Sequence, residues 1–449
     1  MEILVVIEYK DKSMTTREAV FWLLKKSLIS DPTEQTGNSF SSLSAAGLKT
    51  GISENDQVVQ NQNNNNIYSD PSAETSSYGD PDTVDWSAVY DLMKVHTIEF
   101  LPHEWLKTHP LPERNVYASW MKSYMVQKVR WIQLLKAQGE LLALLKEHSI
   151  PCVIIKGTAA AMAYAHPSCR AIGDVDFLVK RCDYQKAAEV IISNDYEEVA
   201  ETDYHISFQK YGICFELHRR LPVVSDTDEK MLALFEEGID NRQSVSIDSS
   251  SFPVLPNHLN GLVLMFHINK HLRGGLGLRQ IIDWMMYVEK ADQETMDKLM
   301  SLLRQTGMER LANTVTAACQ KHFGLCKGSN DSNEQYPCDA FIEYIINQGN
   351  FGRADENPYA KTFLRLQNPV EVFKFCDQCG VKHWPAAKKF VFLRPLAWIY
   401  GAGWIVVKAI SKKMKFGYLW NQYRKGREYR KLINSLGLKI HNTVKSDHD

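Results

Sequence analysis

The stretch Ile172-Gly173-Asp174-Val175-Asp176-Phe177-Leu178-Val179 leaves the chain little choice of fold around it. As a β-strand, its side chains alternate between two faces. Asp174 and Asp176 then share one face, and Val175, Phe177 and Val179 share the other. The apolar face requires a core beneath the strand, which leaves two carboxylates together on the opposite side. Carboxylate oxygens are hard ligands, so the pair suits Mg²⁺, or Mn²⁺ in its place, completed by waters and phosphate oxygens.

The segments around this strand supply matching parts. Pro151 to Ile155 is a short apolar strand running into Lys156-Gly157-Thr158, followed by the helical sequence AAAMAYA and a turn at His166-Pro167. Asp183 to Asn194 has the spacing of a helix, with Asp183 as its cap. YHISFQ and ICFELH, joined at Lys210-Tyr211-Gly212, form a β-hairpin. In its second strand Cys214, Glu216 and His218 share one face, so Glu216 can become a third carboxylate beside Asp174 and Asp176. Gly157 allows close backbone approach to a phosphate, and the free amides at the start of the next helix favour an anion. Thr158 adds a hydroxyl donor or caps that helix. Lys156 and Arg170 are the cations available to neutralise a triphosphate. His218 is placed to touch an acceptor or to orient Glu216.

Outside this core, 449 residues allow two or three domains, and a formal net charge of −1 gives no global attraction to nucleic acid or acidic membranes. Nine scattered cysteines fit reduced thiols better than a disulfide framework. The N-terminus, MEILVVIEYKDK, lacks a basic flank and a small-residue cleavage site, so a cytoplasmic protein is expected. Helical spacing over 15–30 gives an N-terminal helical segment (1–30), and Ser, Asn and Gln dominate 31–85, expected to be a disordered insertion. Helical apolar spacing resumes over 86–149, ahead of a core at 150–222 and a helical domain at 223–387. Within that domain His267, Lys270 and His271 lie on one helical face, and Arg279 and Asp283 sit one turn apart. They form either a buried ion pair within a bundle or a polar wall that contacts substrate.

Cys376, Cys379 and His383 have the spacing of half a zinc site, to which Cys319, Cys326 or Cys338 could add ligands. From Lys388 to the end the chain is apolar, aromatic and basic, and its longest uncharged run, Pro395 to Val407, is too short to cross a bilayer. No transmembrane segment is expected. This tail (388–449) suits an anionic membrane surface with Trp398 and Trp404 at the headgroups, a partner protein or RNA, or a packed helix with a basic extension.

The stretch from Ile150 to Arg219, IPCVIIKGTAAAMAYAHPSCRAIGDVDFLV and then FELH, resembles the uncharacterised nucleotidyltransferase family of bacterial proteins, within the DNA-polymerase-β-type superfamily. The superfamily pattern is a glycine and a small hydroxyl residue, a helix, an Asp-x-Asp strand and a later acidic residue; Gly157-Thr158, Asp174-Val175-Asp176 and Glu216 resemble it. Threonine stands for the commoner serine, and the interval from Gly157 to Asp174 is long. That interval fits the closer family, as do Lys156 before the glycine and Arg170 before Gly-Asp.

The resemblance implies an α+β fold, a small mixed sheet with helices, flanked by N- and C-terminal helical regions. It implies transfer of a nucleoside monophosphate from an NTP such as ATP to a hydroxyl of a small molecule, sugar or protein. The implied mechanism uses two metal ions on Asp174 and Asp176, with Glu216 completing the site of one ion or acting as base. A nucleotide-binding scaffold without turnover is the alternative, against which the three intact carboxylates argue.

Overall fold

Four consecutive buried residues, Cys152–Ile155, can satisfy their backbone only in the interior of a sheet, and this strand, β1, takes that place. The structure, a computed structural model, describes residues 14–28, 83–225, 227–272, 275–327, 335–350, 373, 376–377, 380–384, 386–411 and 416–438. β2 (Asp174–Val179) pairs antiparallel with β1, placing Ile155 opposite Asp176. β3 (Glu197–Glu201), β4 (His205–Lys210) and β5 (Ile213–His218) form a meander, and β5 lies parallel to β2. The β4–β5 turn has Tyr211 at φ 54° and Gly212 at φ 72°, the paired positive angles of a two-residue hairpin turn.

The sheet does not stop at the expected boundary of 222. β6 (Gln243–Ile247) and β7 (Ser250–Val254) form a further hairpin, and β7 joins β1 in parallel at Ile154–Val254. The seven strands run in the order β3-β4-β5-β2-β1-β7-β6. Serine-rich composition hides β6 and β7 in the sequence, although Val245, Ile247, Phe252 and Val254 alternate as strands require.

Helices fill both faces. They are α1 (Thr16–Leu28), α2 (Trp86–Val95), α3 (His103–Thr108), α4 (Arg114–Glu147), α5 (Gly157–Ala161), α6 (Tyr184–Ile192) and α7 (Glu229–Asp240). After the sheet come α8 (Asn257–Leu272), α9 (Leu278–Lys290), α10 (Gln293–Gln305), α11 (Glu309–Phe323) and α12 (Cys338–Gln348). The last are α13 (Ala386–Lys389), α14 (Arg394–Ser411) and α15 (Phe416–Ser435). One face of the sheet, with Val175, Phe177, Val179, Phe215 and Leu217, packs on α4 through Trp131, Leu134 and Leu141 and on α6 through Ala187 and Ile191. The other face, with Val153, Ile155 and Leu178, joins the larger core of α8 and α9, where Leu262, Phe266, Ile281 and Trp284 are buried. The acidic residues of β2 belong to this second face. The result is the α+β class.

Several local expectations are corrected. α5 ends at Ala161, short of the AAAMAYA helix. Asp183 occupies the N-cap of α6 but its side chain accepts no capping bond. In the basic tail, by contrast, the structure has the expected packed helix: Leu432, Ile433 and Leu436 are buried in the larger core and Arg310 Nε donates to the Ser435 carbonyl at 2.5 Å. Residues 29–82, the bulk of the low-complexity stretch, lie outside the described residues, as does Cys379 of the half zinc site. Among the described residues no helix is long and apolar enough to cross a membrane.

His96, fully buried at the end of α2, ties that helix to α9: its Nδ1 accepts from the Leu278 amide at 3.2 Å. Burial holds its pKa down, at about 4. The unfolded chain therefore takes up a proton near pH 6.5 that the folded chain refuses until about pH 4. Stability should be full above pH 6.5 and should fall by up to about 3 kcal/mol from this group as pH drops to 4. Urea midpoints measured across pH 4–8 check this, and His96→Gln should flatten the slope.

Candidate active site

The strands of the second face bring the site together as a lattice. Register places Asp176 beside Glu216 and Glu216 beside Ser207; one step along the strands, Leu178, His218 and His205 stand in line. Alternation then puts Asp174, Asp176, Glu216, His218 and His205 on one side of the sheet. Asp174, Asp176 and Glu216 each offer an oxygen within 4.8 Å of the others. So close a group of partly buried carboxylates is short of positive charge. Burial, with Asp176 and Glu216 as like-charged neighbours, pushes Asp174 up to about 6.

Lys156 answers part of that deficit. It sits at the sharp β1–α5 turn with φ 54° and ψ −130°, a conformation a non-glycine residue adopts only under constraint from its surroundings. The turn delivers its Nζ to Asp176 Oδ1 at 2.5 Å. His218 Nε2 reaches the same oxygen at 2.9 Å and lies 3.3 Å from Glu216 Oε2. Burial opposes the charge on Asp176, but Lys156 and His218 outweigh it and hold its pKa well below the usual range. Gly157 follows at φ 20°, where a Cβ would meet the Asp174 carbonyl oxygen at an ordinary 3.5 Å; backbone angle, not space, favours glycine there.

Two of the expected phosphate-binding residues make their hydrogen bonds elsewhere. Thr158 is buried and donates to Gln138 Oε1 of α4 at 2.7 Å, and Lys156, not Thr158, is the N-cap of α5. Arg170 is committed elsewhere: its Nε and Nη2 donate to the two Asp283 oxygens at 2.9 and 2.7 Å, and Nη1 donates to the Ala171 carbonyl. Tyr164 Oη also donates to Asp283, at 2.7 Å. The pair that sequence placed between Arg279 and Asp283 is thus made by Arg170 and Asp283.

Arg279 donates from Nη1 to the Ala171 carbonyl at 3.1 Å, and its Nε is buried with no hydrogen-bond partner among the described residues. Burial and the nearby Arg170 lower its pKa, against the pull of Asp283 and Asp174. A guanidinium with an unused donor, within electrostatic reach of Asp174, is suited to an anionic ligand.

On α8, His267 and His271 pack edge-to-face with ring centroids 4.5 Å apart. Burial holds His267 well below its ordinary pKa and brings His271 to about 3, so both rings are neutral at pH 7. Lys270 donates to Tyr204 Oη at 2.6 Å and lies 4.8 Å over its ring. Two residues of this surface escaped the sequence reading, Tyr204 and His205. His205 Nδ1 lies 3.1 Å from Thr202 Oγ1, and its Nε2 lies 3.9 Å from Glu216 Oε1; burial lowers its pKa to about 4. Among the described residues, the groups able to hold a metal ion are Asp174–Asp176–Glu216 and His205–Glu216–His218; neither includes Cys376 or His383.

These features can be set beside known proteins. No curated protein matches the chain. Among solved structures, an antigenic nucleotidyltransferase-like protein from Paracoccidioides brasiliensis is similar at 17% identity with a TM-score of 0.25, covering 42% of this chain and 96% of that one. A family model described as uncharacterised nucleotidyltransferase matches residues 82–324, which include the whole sheet and α2 to α11. Since that match spans more than half of the 449 residues, the chain belongs to the uncharacterised nucleotidyltransferase family.

Proposed function

We propose that this protein transfers a nucleoside monophosphate from an NTP to an acceptor hydroxyl. The observation that carries the reading is the convergence of Asp174, Asp176 and Glu216, one oxygen each within 4.8 Å, beside Lys156. The group fits divalent metal: the donors are hard oxygens, and the raised pKa of Asp174 marks a cluster with less positive charge than its carboxylates call for. Asp174, Asp176 and Glu216 would hold Mg²⁺ or Mn²⁺. When bound, such ions neutralise the triphosphate and lower the pKa of the acceptor hydroxyl.

The chain's own groups do the rest. Glu216, the most open of the histidine-flanked carboxylates with 22% of its side chain exposed, accepts the acceptor proton. His218 holds Asp176 and Glu216 in place. Lys156 and Arg279 face the phosphate charge, which dominates catalysis in phosphoryl transfer. Arg170 serves the reaction at a distance, by fixing Asp283 and with it the start of α9.

The test is incubation of the full chain with labelled NTPs, Mg²⁺ or Mn²⁺, and cell extract, beside the Asp174→Ala/Asp176→Ala variant. Label on an extract component with the wild type alone is expected and delivers the acceptor. Silence from both, with equal NTP binding, overturns the reading in favour of a nucleotide-binding scaffold.

A second property rests on a separate observation. Phe392 is 76% and Ile399 70% exposed, with Phe390, Leu396 and Tyr400 also exposed around them. From Lys382 to Lys439 the chain carries fourteen Lys and Arg against a single acidic residue, Glu428. Exposed apolar side chains in so basic a segment suit the surface of an anionic bilayer. The full chain is expected to co-sediment with vesicles containing phosphatidylserine and not with neutral vesicles. Phe392→Ser/Ile399→Ser should reduce binding several-fold; equal sedimentation with both vesicle types would sink the idea.

A further inference from the structure

We infer that the sheet carries a mixed nitrogen–oxygen site for a borderline transition-metal ion such as Zn²⁺ or Co²⁺, formed by His205, His218 and Glu216 beside the all-oxygen site. The inference deepens the transferase reading, since Glu216 belongs to both groups, but it concerns binding and stands on different ligands.

The hairpin builds the site. His205 on β4 and His218 on β5 are directly opposed, with ring centroids 5.1 Å apart, and Glu216 precedes His218 by two residues on the same face. His205 turns Nε2 toward Glu216 Oε1 at 3.9 Å, and His218 Nε2 lies 3.3 Å from Glu216 Oε2 and 2.9 Å from Asp176 Oδ1, a hydrogen bond that an ion on this nitrogen would replace. Ligands at about 2.0–2.1 Å from a tetrahedral ion stand about 3.3 Å from one another, so these spacings approach those of a shared coordination sphere. All three donor atoms fall within 4.8 Å.

Independent features support a ligand role. His205 is oriented from behind: Thr202 Oγ1 lies 3.1 Å from Nδ1 and takes the His205 amide, which leaves Nε2 aimed at Glu216. Ligating histidines are characteristically anchored in this way through their second nitrogen. His218 has no such anchor among the described residues; it is fully buried, and packing holds its ring. Neutral imidazole suits Zn²⁺ and Co²⁺, whereas Mg²⁺ strongly prefers oxygen; the two groups therefore differ in kind, not only in place.

Co²⁺ titrated into the full chain without nucleotide, read by visible absorption, tests this. Intense d–d bands of a four-coordinate ion are expected, persisting under excess Mg²⁺. His205→Gln should weaken the Co²⁺ affinity at least ~10-fold, and Thr202→Val several-fold through loss of the anchor. The Thr202 variant retains all three ligands and so reports even where His205→Gln folds poorly. Weak bands typical of a six-coordinate ion, full displacement of Co²⁺ by Mg²⁺, or unchanged affinity in both variants would overturn the site. Because the readout needs neither NTP nor turnover, its failure leaves the transferase reading standing, and loss of label transfer leaves this site standing.

Discussion

Asp283→Ala is expected to cost about 3–5 kcal/mol of stability, enough to unfold much of the protein near physiological temperature. Asp283 is the shared acceptor of Arg170 and Tyr164, and Arg170 is 3% and Asp283 1% exposed. Removing the carboxylate strands a buried guanidinium and a buried hydroxyl at once, and the full desolvation cost of both falls on the folded state. Replacing both partners with apolar residues of similar volume, Arg170→Met with Asp283→Leu, should recover the part of the loss that comes from the stranded Arg170 charge, while Tyr164 and Arg279 still lack the carboxylate. Urea unfolding of the three proteins measures this. A single-variant loss below about 1 kcal/mol would show that the pair is solvated.

Asp174→Asn is expected to have the opposite signature, with transfer reduced at least ~1000-fold and no loss of stability in chelator. A carboxyl whose folded pKa is raised, here to about 6, makes the folded state bind a proton more tightly than the unfolded state. Its contribution opposes folding at pH 7 and fades as pH falls from 6 toward 4. Neutralising it should therefore raise stability by up to about 3 kcal/mol at pH 7 in EDTA. Saturating Mn²⁺ reverses the order: the wild type should gain about 3 kcal/mol at a hundred times its Kd, and the variant far less. Thermal melts with and without Mn²⁺ check both halves, and a variant that is less stable in EDTA would contradict the crowding of the carboxylates.

How much of this was legible beforehand follows from what kind of rule placed each residue. Alternation along a strand is local, so the sharing of a face by Asp174 and Asp176, and by Glu216 and His218, could be read directly. Opposition across strands is legible only where a turn fixes register. The two-residue turn at Tyr211-Gly212 does so: opposing Lys210 to Ile213 forces His205 opposite His218. His205 is therefore within reach of the sequence through register, although the periodicity of YHISFQ alone does not mark it.

The partner of Asp283 was beyond such rules. A helical spacing of four allowed Arg279, but Arg170 arrives from 113 residues away through a loop whose path no local pattern encodes. Thr158 shows the same limit, since its partner Gln138 lies on a helix that sequence could place only as a generic flank. The β6–β7 hairpin was lost to composition: serines on its exposed positions outweighed the four apolar residues that alternate beneath them.

The single parallel register point between Ile154 and Val254 has a consequence for biogenesis. One edge of β1 stays unpaired until the hundredth residue after it has been synthesised. During that interval the nascent chain presents four apolar residues, Cys152 to Ile155, on an open strand, a template for pairing with other chains. Closure over so long a sequence separation is slow. A fragment that ends at 222 therefore keeps all three carboxylates and still lacks the strand that shields β1, so it should aggregate where a fragment reaching past Val254 stays dispersed.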